Sequence, residues 1–460
     1  MPLTWRALLD GDQAARAAAV VEEIADALAG WPEIPAEDPA GASLASGEAG
    51  LALFFSYLDR ARPGRGYAEL AEERLDRAVD RLATSFHQPG LFQGFTSIAW
   101  TVEHLRDRSE EDPVEEIDAA LLDLLATSPW RDDYDLTAGL AGFGAYALER
   151  WPAPTAAACL ARVCERLAEL AVPQEVGLAW LTPDESLHPR ERQGYPHGMV
   201  NLGVAHGVPG VLPVLAQAAA ALGTAPPPLG APPPALGAAA PALGTAPPPL
   251  GAPPPALGAP LPPRALLAAA IAGLLHRRLP AGGDSIFPTA WGPAAEPIPA
   301  RTAWCYGDPG IAAALWLAAR AAGEPAWEAE ALHLARTAAR RAPERSGVRD
   351  ACLCHGAAGL GHLFNRLGQA AGDPELLAAA RVWLARALDL REPGRGVAGF
   401  VTWGPDAAER MDWRNDPSLL TGAAGVGLAL LAAATTVEPA WDRLLLLSPA
   451  LPDSRNTPSP

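Results

Sequence analysis

The sequence predicts an all-α chain, an α/α toroid (double helical barrel) of seven inner and seven outer helices. Three observations predict it. Helix-period apolar stripes recur along the chain, each stripe is followed by a glycine turn, and each glycine turn opens a second helix that is short, small-residue-rich and apolar on most faces. A stripe that cannot bury its face alone stacks on its neighbours. A helix that is apolar all round is a buried helix. The simplest closed arrangement puts seven such helices in an inner ring and the amphipathic ones outside, with the glycine turns gathered at one end, where glycine permits positive backbone dihedrals and close approach of neighbouring chains.

Taken in order, residues 14–29 carry Ala17, Val20, Val21, Ile24 and Leu28 on one helical face, and Pro32, Pro35 and Pro39 break the run. Ser46-Gly47-Glu48-Ala49-Gly50 then opens a short apolar helix through Leu51, Leu53, Phe54 and Leu58. The same two-part unit recurs as 67–86 with the turn Gln93-Gly94-Phe95, and as 115–126 with Leu136 to Gly142. It recurs again as 155–170 with Ala205-His206-Gly207, 264–279 with Gly307 to Gly310, 328–341 with His355 to Gly359, and 374–390 with Thr421 to Gly425.

One segment interrupts the series. Residues 224–238 and 245–259 carry the same text at a period of 21, and prolines at that density propagate neither helix nor sheet. Residues 224–263 therefore read as a proline-rich, disordered insertion within a single α/α-barrel domain spanning 1–460. The connections 173–200 and 280–303 are long and irregular, and both lead into candidate site residues.

A formal charge of -18, carried against 35 basic residues none of which is lysine, argues against a nucleic-acid partner. Met1 to Asp10 has no secretion pattern, and no apolar run reaches membrane-spanning length, so the reading is a soluble, cytoplasmic protein. The five cysteines, Cys159, Cys164, Cys305, Cys352 and Cys354, are few and odd in number, which suits a reducing compartment with thiols free for chemistry.

Two thiols and an imidazole, Cys305, Cys354 and His355, stand beside similar glycine turns. Two soft sulfur ligands and one nitrogen favour one Zn2+ per chain, and three protein ligands leave a fourth position for water or substrate. Cys352 is the rival thiol for the ligand pair. Cys159 and Cys164 lie on a helical stripe with Leu160, Val163 and Leu167 and read as core residues. His206, at a glycine turn, has a side chain suited to shuttling a proton near neutral pH.

Trp304-Cys305-Tyr306-Gly307, Cys354-His355-Gly356 and Asn201 to Gly207, with the repeated Gly-x-x-Gly turns, resemble the lanthionine synthetase C family of zinc-dependent lanthipeptide cyclases. The resemblance covers nearly the whole chain outside the proline-rich insertion. It implies a double ring of helices, Cys305, Cys354 and His355 as the zinc ligands, and His206 and Asp135 as the active-site histidine and aspartate. It also implies Arg301 as an arginine that stabilises an enolate or pairs with Asp135. Trp304 and Tyr306 are candidates for an apolar substrate pocket, and His197 for a substrate contact in the preceding loop.

The activity implied is lanthionine or methyllanthionine ring formation, in which a peptide cysteine adds to dehydroalanine or dehydrobutyrine. The implied partners are a dehydrated precursor peptide with its leader, a separate dehydratase and an exporter, with a place at the periphery of a membrane-associated complex. An alternative of another class keeps the three ligands but makes His206 and Asp135 dispensable: a zinc-dependent peptide- or glutathione-binding protein without ring-forming activity.

Overall fold

A computed structural model describes all residues except 1–3, 33, 35–37, 39, 85–87, 107–111, 224–260, 294, 406–409 and 451–460. The repeated text of the insertion thus lies outside the described residues. The helices are α1 (Gly11–Ala29), α2 (Glu48–Ala61), α3 (Tyr67–Thr84), α4 (Phe95–Leu105), α5 (Glu115–Leu125), α6 (Leu140–Glu149), α7 (Pro154–Leu170) and α8 (Pro189–Gly194). They continue as α9 (Val208–Ala221), α10 (Pro263–His276), α11 (Asp308–Ala322), α12 (Pro325–Ala339), α13 (Ala357–Ala371), α14 (Pro374–Asp389) and α15 (Ala423–Ala434). Apart from the single-turn α8, these are the seven expected pairs. The strands among the described residues form three two-stranded sheets.

The two helix types differ in burial as their patterns require. In α1 the buried residues are Ala17, Val20, Val21, Ile24, Ala25 and Leu28, one stripe on an otherwise exposed helix. In α15 every residue from Ala423 to Ala433 is buried. Fully burying a Val or Leu contributes about 1.5–3 kcal/mol, so Val426, Leu428, Leu430 and Leu431 make α15 a large local source of stability.

The glycine turns share one backbone design. The first N–H of the helix donates to the carbonyl seven residues back: Glu48 to Gly41, Phe95 to Gln88, Leu140 to Asp133, Ala357 to Asp350 and Ala423 to Asp416. This folds the chain tightly under the capping glycine. A Cβ on Gly139 would lie 2.2 Å from the Asp133 carbonyl oxygen, and one on Gly207 equally close to that of Asn201. Close approach is therefore what selects glycine here. Positive φ, the other reason expected, applies among the glycines that N-cap the helices only to Gly307 at 138°.

The chain packs as two compact units, Met1–Ile117 with Thr302–Trp304 and Ala335–Ser448, and Asp118–Arg301 with Cys305–Leu334 and Pro449–Pro460. In the first, α15 packs on α1, α2 and α13, and α2 on α3 and α4. Its turns are linked by main-chain bonds two residues before each capping glycine: Cys354 N–H donates to Leu420, Leu420 to Ala45, and Ala45 to Phe92. A hairpin of β5 (Thr402–Pro405) and β6 (Met411–Arg414) is held to this end by the Asp350 carboxylate, which accepts the Trp403 N–H at 3.0 Å.

In the second unit α9 packs on α6, α7, α10 and α11. Here Leu136 N–H donates to the Ala205 carbonyl and Ala205 N–H to that of Cys305, so these turns too are stitched together. The long connections are short sheets: β1 (Val172–Pro173) pairs with β2 (Leu178–Ala179), and β3 (Val200–Asn201) with β4 (Ala290–Trp291). The second pairing pins the 280–303 segment beside the turn that carries His206.

Candidate active site

The residues of chemical interest occupy fixed register positions in the turns. Cys305 and Cys354 both stand two residues before a capping glycine, and His206, Tyr306 and His355 one residue before.

In the second unit, Asp135 and His206 are brought together. Asp135 is buried at the head of α6, where its Oδ1 accepts the N–H groups of Ala138 at 2.8 Å and Gly139 at 3.1 Å. These bonds hold the carboxylate in one orientation and aim Oδ2 outward. Oδ2 receives the Thr137 hydroxyl at 3.0 Å and His206 Nδ1 at 2.7 Å. An ionised carboxylate only accepts, so Nδ1 carries the proton and Nε2 is left for other partners. The His206 side chain is 49% exposed although its partner is buried. Partial desolvation of the ring works against protonation, but the hydrogen bond and charge of Asp135, followed by the Cys305 and Asp133 charges, raise its pKa above the ordinary histidine value.

Cys305, at the turn opening α11, is a buried thiol whose Sγ lies 3.4 Å from the Arg301 guanidinium. A fixed cation there favours the thiolate that metal ligation requires. Tyr306 accepts a hydrogen bond from Asn201 Nδ2 at 2.9 Å, and its ring centre is 6.4 Å from that of His206. Burial pushes the Tyr306 phenol up to about 12, so it remains a hydroxyl at neutral pH. His197 is exposed in the loop before β3.

In the first unit, Cys354 is buried and His355 half-buried at the turn opening α13. Cys352 Sγ lies 3.5 Å from the His355 N–H, turned back toward its own loop. Trp304 is a core residue of this unit: its Nε1–H donates to the Leu445 carbonyl at 2.9 Å, and its ring centre is 6.1 Å from that of Phe92. Cys159 and Cys164 are buried in α7, and desolvation pushes both thiols up to about 12, in keeping with core residues. None of the five cysteines is in a disulfide.

Cys305, Cys354 and His355 are a group of side chains that could hold a metal ion, as are Asp350, Cys352 and His355. Two thiols outside any disulfide and an imidazole are donors zinc prefers, and a guanidinium at one sulfur favours its ionised form, so the residues present fit that ion.

Three site residues escaped the sequence reading. Thr137 closes the Asp135–His206 pair, Asn201 orients Tyr306, and Asp350 supports the loop of Cys352 to His355. A signal for two of them was present: Asp133, Asn201, Asp350 and Asp416 all stand six residues before a capping glycine.

Among the described residues no helix is long and apolar enough to cross a membrane. No curated protein matches the chain. Among solved structures, a nisin cyclase is similar with a TM-score of 0.67 at 18% sequence identity, covering 94% of this chain and 97% of that chain. A likeness at that identity speaks for the fold, and with the seven helix pairs it bears out the all-α toroid class. The family described as lanthionine synthetase C-like protein matches residues 38–225 and 276–446, more than half of the chain. The chain belongs to the lanthionine synthetase C-like family.

Proposed function

We propose that the protein is a lanthipeptide cyclase that forms lanthionine or methyllanthionine by adding a peptide cysteine to dehydroalanine or dehydrobutyrine. Family membership and the candidate metal-binding residues support a zinc-associated cyclase in general terms. The observation that carries the finer reading is the Asp135–His206 pair: a fixed carboxylate, and an imidazole held through Nδ1 with its ring half-exposed. A binding protein has no need of a proton carrier so held.

Cys305, Cys354 and His355 would hold one Zn2+. When bound, the ion supplies Lewis acidity that keeps a substrate thiol ionised near neutral pH. The reaction is an isomerisation: the thiol S–H bond breaks, a sulfur–carbon bond forms at the β-carbon, and the alkene electron pair moves to the α-carbon, which then takes a proton. His206 Nε2 holds or delivers that proton, while Asp135 fixes the ring and stabilises its cationic form. Arg301 keeps positive charge at Cys305 and offers it to the developing enolate. Tyr306, un-ionised, is a donor at the same turn. The substrate is a dehydrated precursor peptide with its leader, supplied by a separate dehydratase.

The test is zinc-loaded protein with a dehydrated precursor peptide, followed by thiol alkylation and mass spectrometry, because ring closure leaves the mass unchanged and removes alkylatable thiols. Loss of those thiols with wild type, and their retention with His206→Ala and Cys305→Ala, is expected. Thiols that stay fully alkylatable with zinc-loaded wild type would sink the cyclase reading and favour the peptide- or glutathione-binding protein.

A further inference from the structure

Two features of the loop before α13 bear on its histidine. The first is the Asp350 carboxylate, almost fully buried, with its Oδ1 accepting the Cys352 N–H at 3.1 Å and its Oδ2 accepting the Trp403 N–H at 3.0 Å. The second is the placement of His355, whose Nε2 lies 3.9 Å from that same Oδ2. A carboxylate anchored by two main-chain donors on two separate elements does not turn easily. It is better suited to receive a proton-bearing nitrogen than to swing out as a ligand.

We propose that Asp350 is a positioning residue that keeps the His355 proton on Nε2 and so presents Nδ1 to the metal. The inference rests on the reading of His355 as a ligand and adds which nitrogen binds and what sets it. Ligating histidines commonly direct their second ring nitrogen to a carboxylate, which fixes the tautomer and raises the basicity of the ligating atom. Asp350 is the carboxylate that faces Nε2 here, with its side chain 1% exposed against 20% for His355. The same geometry separates the two groupings that share His355. Asp350 belongs to the support of the site, and Cys352, turned toward the His355 N–H, belongs with it rather than with the ligands. Through Trp403 the carboxylate also ties the metal loop to the β5–β6 hairpin.

The experiment uses full-length protein and zinc alone. Selective 15N-histidine labelling and two-bond proton–nitrogen spectra report which His355 nitrogen is protonated and which is metal-bound. Protonated Nε2 with metal-bound Nδ1 is expected, and metal-bound Nε2 would overturn the proposal. In parallel, zinc affinity is measured by competition with a chromophoric chelator for wild type, Asp350→Asn and Cys352→Ser. Asp350→Asn is expected to weaken zinc binding about 10–100-fold, and Cys352→Ser to leave it within about twofold of wild type, on the scale where the Asp350 effect is read. Unchanged affinity in Asp350→Asn overturns the proposal. The wild-type spectrum decides the tautomer even if a variant fails to fold. Wild type that takes up no zinc overturns both this inference and the ligand assignment, whereas zinc uptake without thioether formation removes only the cyclase reading.

Discussion

Two histidine–aspartate pairs in this molecule have nearly the same bond and opposite surroundings. His206 Nδ1 meets Asp135 Oδ2 at 2.7 Å, and His362 Nε2 meets Asp442 Oδ2 at 2.8 Å. The His206 side chain is 49% exposed, while neither side chain of the second pair has any exposure. His362 stacks on Trp441 with ring centres 4.6 Å apart, and Asp442 also receives Arg366 Nε at 2.8 Å and the Ser448 hydroxyl. The hydrogen bond therefore does not make a pair reactive. Access does: a ring with one nitrogen fixed and the rest open can carry protons, and one walled by tryptophan and bound to a carboxylate that a guanidinium also holds is a structural clasp.

The sharpest way to break this comparison is to delete one partner from each pair. His206→Ala is expected to lower the rate of thioether formation by about 10²–10⁴-fold and to leave stability within about 0.5 kcal/mol, measured by thiol alkylation and urea unfolding on one preparation. Asp442→Ala is expected to do the reverse. It takes away the buried carboxylate that His362 Nε2 and Arg366 Nε share, leaving Arg366 only its pairing with Glu438, costs about 3–5 kcal/mol in the urea titration, and leaves the turnover of the folded fraction unchanged. If His206→Ala unfolds the protein or Asp442→Ala removes activity from folded chains, the division into reactive and structural pairs is wrong.

A smaller effect follows from the charge on Asp442. Burial alone would raise its pKa, but the Arg366 charge, with the hydrogen bond and charge of His362, outweighs that and holds it down to about 2. A carboxylate depressed on folding contributes stability that is present above its unfolded value near 3.9 and is lost as pH falls through the folded one. Wild type should therefore lose about 2 kcal/mol from this group between pH 5 and pH 2. Asp442→Asn has no proton to take up there, so its urea midpoint should fall less steeply across that window. Parallel pH profiles for the two proteins would show that Asp442 is not the acid-sensitive clasp.

The helix pairs were legible because their cause is local. The apolar stripe of α1 and the all-round apolar α15 write their burial into short stretches of sequence, and the glycine turns mark where one helix type gives way to the other. The candidate site residues could be singled out for a related reason: Cys305, Cys354, His206 and His355 sit at two fixed positions of a recurring turn. What the sequence did not disclose depends on partners distant in the chain. Trp304 borders Cys305, a candidate metal ligand, yet its Nε1–H is spent on the Leu445 carbonyl, 141 residues away. Asp350 looks like one more turn aspartate until Trp403 and His355 are seen around its carboxylate. His362 lay within a helical pattern with nothing nearby to name Asp442 as its partner.

The finest test of the comparison leaves both histidines in place and alters only the charge beside the reactive one. In wild type the His206 pKa stands above the ordinary value of 6.5 because Asp135 outweighs the cost of burying the ring. A histidine raised on folding contributes stability that is complete below its unfolded value and disappears as pH rises through the folded one. Asp135→Asn keeps a side-chain oxygen for the Ala138 and Gly139 amides but removes the negative charge, so burial is left with less opposing it. The His206 Cε1 proton, followed by NMR, should titrate at lower pH in Asp135→Asn than in wild type, and the alkaline limb of the rate profile should move down with it. A titration that stays where it is would mean that Asp135 orients the ring without tuning it. His206 would then owe its place to Thr137 and the turn backbone, and the contrast between the two pairs would reduce to exposure alone.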